Sequence, residues 1–137
     1  MRTATARRRG SQTGSALVEG ALVFFVFMLI VLGIMDFGRI VWVHNSVSYA
    51  TREAARYAIV HGSASRTPAT STTIADKVKQ NAIGLTPESV TVAIVWSPDN
   101  KPGSSVSVST QYLVTSIVSL VPFAITLKSS SKMIIAQ

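Results

Sequence analysis

Residues 14–35 read Gly14-Ser15-Ala16-Leu17-Val18-Glu19-Gly20-Ala21-Leu22-Val23-Phe24-Phe25-Val26-Phe27-Met28-Leu29-Ile30-Val31-Leu32-Gly33-Ile34-Met35, and this run decides the fold. From Ala16 onward it carries one charge, Glu19. A helix of about 20 residues reaches roughly 30 Å, the thickness of a bilayer's hydrocarbon core. The alternative is a core helix wrapped by the rest of the protein, but a 137-residue chain offers little to wrap it with. The run therefore predicts a membrane-spanning helix.

The sequence on either side sets its orientation. Formal net charge is +7. Arg2, Arg7, Arg8 and Arg9 stand in residues 1–14 without an acid, while residues 15–137 hold nine basic and six acidic residues, a balance of +3. Residues 1–14 thus read as a basic leader, drawn to anionic lipid and retained in the cytoplasm by the positive-inside rule. The charge is too local for a nucleic-acid surface. A cleaved secretory signal is a rival reading, but the apolar run is longer than the usual signal core and no small-x-small site closes it.

Beyond Met35 the helical pattern continues. Ile40, Val43, Val47, Ala50, Ala54 and Ala58 recur at steps of three and four, one face of a helix. Asp36 with Arg39 and Glu53 with Arg56 are spaced to meet on its surface. With no proline from Ser15 to Tyr57 and a stop at Gly62, the reading is one helix from about Ser15 to Val60, roughly 70 Å long. Residues 61–71 form a loop, and Thr72 to Ala82 a short helix with Ile74, Val78 and Ala82 on one side. Strands are expected at Val90–Trp96, Ser105–Tyr112 and Ile125–Ile135, each alternating apolar with Ser, Thr or Lys. Residues 98–103 are a turn, and residues 113–124 are expected to be a crossover loop packed on the sheet. The fold class is α+β: a long N-terminal helix, membrane-spanning in its first half, packed on a small antiparallel sheet of about three strands. The segments are 1–14 (leader), 15–36 (transmembrane), 37–61 (amphipathic extension) and 62–137 (extracytoplasmic α+β domain).

Several functions are excluded or unsupported. Zero cysteines rule out disulfides and thiolate metal sites. His44 and His61 are the two histidines, and no zinc-protease, phosphate-loop or dinucleotide motif occurs. No catalytic residue, metal ligand or cofactor is assigned, and the chain is not read as an enzyme. Trp42 fits either a membrane interface or sheet packing. Ala16 and Gly20 form a small pair that lets helices approach.

The junction is the informative part. A glycine closes the basic leader, and Glu19, the fifth residue counting Ser15 as the first, stands inside the apolar run. A carboxylate in hydrocarbon costs several kcal/mol unless it is paired or near the interface. Helix-dipole contact explains an acid near the helix start but not the glycine before it. Gly14, Ser15 and Glu19 together resemble the processing site of type IV prepilins and pseudopilins. The runs Ile34-Met35-Asp36-Phe37-Gly38-Arg39 and Ala50-Thr51-Arg52-Glu53-Ala54-Ala55-Arg56-Tyr57-Ala58, and more loosely residues 104–137, resemble the TadE-like family of the Tad (Flp) pilus. One departure is Gly20, where many relatives have tyrosine.

The resemblance implies a minor pilin-like subunit (pseudopilin) of a Tad pilus assembly, secretion and adhesion system. It implies cleavage after Gly14 by a prepilin peptidase and a subunit-assembly role for Glu19. Asp36, Gly38, Arg39, Arg52, Glu53, Arg56 and Tyr57 form the helix motif. The implied partners are the peptidase, other pilin and pseudopilin subunits, inner-membrane Tad assembly proteins and the lipid bilayer, with no nucleic acid. The implied location is the bacterial inner membrane, single-pass, possible association with the pilus included. The alternative is an uncleaved single-span anchor or accessory subunit carrying an extracytoplasmic binding module.

Overall fold

The computed structural model describes residues 12–116 and 122–136. Its elements are α1 (Gln12–Val60), α2 (Ser71–Asn81), a 3-10 turn (Pro87–Ser89), β1 (Val90–Ser97), β2 (Ser105–Thr115) and β3 (Ala124–Ile134). The chain divides into two compact units, Met1–Phe37 and Gly38–Gln137. The fold is α+β, as the apolar periodicity requires. Most of the expected leader, residues 1–11, lies outside the described residues.

In the first unit α1 exposes its apolar side chains: Leu17 is 75% exposed and Phe24 62%. Such a continuous apolar surface is unfavourable in water and ordinary in lipid. Helix starts earlier than Ser15, at Gln12. That shift is within the ambiguity of helix ends, but it places the Gly14–Ser15 peptide bond inside the first helical turn.

The second unit holds the core. The helix face read from the sequence is the face that closes it: Val43, Val47, Ala50, Ala54 and Ala58 are at most 1% exposed, and Ile40 packs at its margin. Ala55 and Thr51 are also fully buried. Thr51 satisfies its hydroxyl by donating to the Val47 carbonyl at 2.7 Å, one turn back, which is why a polar residue is tolerated in this stripe.

Helix α2 begins with a capping box. The Thr70 side chain accepts from the Thr73 amide and the Thr73 side chain accepts from the Thr70 amide, so two orphan helix donors are paired. Ile74 and Val78 turn inward. Past its end, Gly84 has φ +73° and a Cβ there would lie 2.2 Å from the end of the Trp42 ring, so the position suits glycine on two counts. Trp42 is thus placed over the loop at Gly84, with half its surface exposed.

The sheet is an antiparallel meander in the order β1-β2-β3. Ile94 pairs with Val108 and Val108 with Ser131, which fixes the inward set as Val90, Val92, Ile94 and Trp96 on β1 and Val106, Val108, Thr110, Tyr112 and Val114 on β2. The expected crossover at 113–124 is overturned. Leu113, Val114 and Thr115 extend β2, Ala124 opens β3, and the two neighbours are antiparallel, so the link is a hairpin connection. The apolar residues there belong to a continuing alternation: Val114 is buried while Leu113 points out. Residues 117–121 of that link lie outside the described residues.

Thr110 has no partner for its buried hydroxyl oxygen. An unpaired buried polar group costs about 1–3 kcal/mol, so Thr110→Val, equal in shape, is expected to stabilise the protein by about 1 kcal/mol. Urea unfolding reads this as a higher midpoint at unchanged slope, and a lower midpoint would show that the hydroxyl is paired.

The β1–β2 turn is held by Asp99. Its carboxylate accepts from the Ser104 hydroxyl at 2.5 Å and the Lys101 amide at 3.2 Å, and it pairs with the Lys101 ammonium at 3.3 Å. The Ser104 bond first, then the Lys101 amide, lowers the Asp99 pKa. A depressed carboxylate contributes stability present above its unfolded pKa and lost as pH falls through the folded one. An NMR titration is therefore expected to find Asp99 ionising below the ordinary aspartate range, with the turn loosening at that pH. Titration at or above that range would contradict these bonds.

Candidate functional site

The site predicted from sequence divides between the two units. Gly14, Ser15 and Glu19 all lie on the first turns of α1 and are all exposed. Shallow concavities flank Glu19 on both sides. One is lined by Ala16, Gly20, Val23, Phe24 and Phe27, the other by Gly14, Ser15, Val18, Leu22 and Val23. The carboxylate therefore sits on an apolar ridge with small residues at its feet. A Cβ at Gly14 or Gly20 would meet nothing within 4 Å, so neither glycine is required by packing inside this chain. What such a surface offers is a place for another helix to approach closely, with one acid as its polar contact.

The helix motif has a different character. Asp36 is half-buried and Gly38 exposed. Arg39 donates from its Nη1 to the Thr115 carbonyl at 2.8 Å, so it ties the base of the extension to the end of β2. That contact joins positions 76 apart in sequence, and nothing in the sequence pattern announced it. Arg52 and Arg56 are exposed and Glu53 half-buried. Among the described residues the Glu53–Arg56 pair expected from spacing does not form, whereas Lys101 does pair with Asp99. A helix-surface pair is worth only about 0.2–0.5 kcal/mol, too little to hold two long side chains together.

Tyr57 does more than the sequence suggested. Its ring stacks on His61 with centroids 4.0 Å apart and planes at 21°, and the Lys77 ammonium lies 5.5 Å from its centre. The His61 Nδ1 lies 2.9 Å from the Tyr57 carbonyl. These contacts lock the end of α1 to α2. Arg39 and Tyr57 of the motif therefore act in the architecture of the second unit. The chemistry left without an internal purpose is concentrated at Gly14, Ser15, Glu19 and Gly20.

These features define a class: a chain whose described residues hold one candidate membrane anchor, long and apolar enough to cross a bilayer, its most apolar 18 residues having a mean hydropathy of 2.7, joined to a small helix-and-sheet unit. Residues 14–56 match the family model described as TadE-like protein, the family that the sequence resembles. The match opens at Gly14 and closes at Arg56, so the sheet lies outside it. No curated protein and no solved structure matches the chain.

Proposed function

We propose that this protein is a minor pilin-like subunit of a Tad pilus assembly and secretion system, made as a precursor and cut after Gly14 by a prepilin peptidase. The observation that carries this reading is the lone Glu19 carboxylate exposed on an apolar helix whose TadE-like match begins at Gly14. The basic leader holds the N-terminus in the cytoplasm, and the helix-and-sheet unit lies on the extracytoplasmic side of the inner membrane. Cleavage frees the Ser15 amine inside the apolar environment. The Glu19 carboxylate of one subunit pairs with that amine on a neighbour, and two charges that lipid penalises singly are neutralised together. The role is assembly and not catalysis.

The Gly14–Ser15 bond lies in the first turn of α1. The first four amides of any helix have no intrahelical acceptor, so this turn unwinds at little cost to meet a peptidase. Co-expression with and without an active prepilin peptidase tests the reading. A peptidase-dependent loss of residues 1–14 is expected, abolished by Gly14→Leu. Equal products in both cells favour the uncleaved anchor.

A further inference from the structure

We propose that the free edge of β3, with the Lys128 and Lys132 ammoniums beside it, is a docking strip for an acidic extended segment of a partner protein, added to the sheet as a fourth strand. The inference does not depend on processing at Gly14.

β3 is the last strand of the sheet, and among the described residues no strand lies beyond it. It is 11 residues long, enough for a full ladder of backbone pairing. Its register is fixed at one end by three bonds outside the β2–β3 ladder. The Ile135 amide donates to Ser104, the Gly103 amide to Ile135 and the Ala136 amide to Ile59, at 2.8, 2.9 and 3.0 Å. A strand held in this way is an ordered template.

Two further observations say what covers it. The inward positions of β2 are closed to water, with Val106 and Val108 at 0% exposure, whereas Leu127, Ser129, Ser131 and Met133 on β3 are half-buried. The flank of the sheet is therefore open along β3, and a further strand would cover it. The charge names the partner. Lys128 and Lys132 both point outward from β3, about 13 Å apart along the strand. The outward positions of all three strands hold Ser, Thr, Ala, Val, Leu, Ile, Gln and these two lysines, with no carboxylate. Of the two acids that flank β1 in sequence, Glu88 lies before the strand on the 3-10 turn and Asp99, after it, is already paired with Lys101. Residues 38–137 as a whole carry nine basic and four acidic side chains. A second copy of the same strand does not fit. Antiparallel self-pairing centred on Ser130 would set Lys128 opposite the other copy's Lys132, a repulsive arrangement. Edge lysines guard against self-pairing, and the same pair admits a strand with glutamates or aspartates four residues apart.

The full chain in neutral micelles is titrated with a labelled, blocked 11-residue peptide of alternating threonine and glutamate, matched to the length of β3. Binding is expected, together with slowed amide exchange along residues 124–134. Lys128→Glu with Lys132→Glu is expected to weaken it about tenfold or more and to admit the lysine analogue of the peptide instead. If that variant loses its sheet signal in circular dichroism, Lys128→Ala with Lys132→Ala replaces it, again with weaker binding expected. A peptide N-methylated at alternate amides, unable to complete the ladder, is expected not to bind. Equal binding of acidic and basic peptides, equal binding of the N-methylated peptide, or unchanged exchange in β3 would each overturn the proposal. So would an alanine variant that self-associates while the native chain ignores the acidic peptide, since the lysines would then be guards alone.

Discussion

Replacing Ala54 with leucine is expected to cost the helix-and-sheet unit about 3 kcal/mol, at the upper end of what overpacking a filled core costs. Ala50, Ala54 and Ala55 are fully buried and Ala58 nearly so. These four small side chains belong to the closed core that α1 shares with α2 and the sheet, and leucine adds three carbons where no space is left. A unit of this size has about 5–15 kcal/mol in all, so the loss is a large share. Arg52 and Arg56 on the exposed side of the same helix are the controls, with alanine at either expected to change stability by less than about 0.5 kcal/mol. Urea unfolding in micelles, read by tryptophan fluorescence and circular dichroism, measures all three. A cost at Ala54 no larger than at Arg56 would mean that this face of α1 does not rest on the sheet.

The second large effect concerns assembly. Glu19→Ala is expected to leave peptidase cleavage and the unfolding of the second unit unchanged while the amount of protein recovered in assembled pili falls roughly tenfold or more. A single unpaired charge in the membrane costs about 2.5–3.5 kcal/mol on insertion scales, more than the 1.4 kcal/mol that separates a tenfold difference. Without the carboxylate, the neighbour's Ser15 amine is left as that unpaired charge. Glu19→Gln keeps a hydrogen-bonding group and loses the charge, so it is expected to fall between the two. Pili containing the alanine variant at the normal level would remove the role given to Glu19.

Much of the fold was written in local periodicity. The apolar run and the three-and-four steps from Ile40 to Ala58 are properties of one helix, and the alternation in β1, β2 and β3 is a property of single strands, so each could be read without its neighbours. The loop at 61–71 and the short helix after it are likewise local. What could not be read depends on contacts between distant positions. Thr51 and Thr110 look like solvent-facing residues, yet both are buried by elements far from them in sequence. The Arg39 bond to Thr115 and the close approach of Trp42 to Gly84 exist only once the sheet and the α2 end are in place. The end of β2 is not legible locally because Leu113 and Val114 are two adjacent apolar residues, which read as loop packing until pairing with β3 is known.

The candidate site shows the same division. Gly14, Ser15 and Glu19 stood out because a glycine and an acid break composition where nothing nearby explains them, and the structure gives them no internal packing duty. The helix motif was legible as a pattern but not as a set of roles. Its spacing could not announce that Arg39 bonds a strand end or that Tyr57 stacks on His61. That Lys128 and Lys132 share one face follows from the alternation alone, whereas the docking strip required the strand order that makes β3 an edge.

The proposed role depends most heavily on a membrane-anchored precursor matured at one bond. Mass spectrometry of the N-terminal peptide, taken from protein extracted out of the membranes of cells with an active prepilin peptidase, tests this directly. The account predicts a chain that begins at Ser15 and carries Glu19 as its fifth residue. Recovery of the chain with residues 1–14 still attached would contradict it.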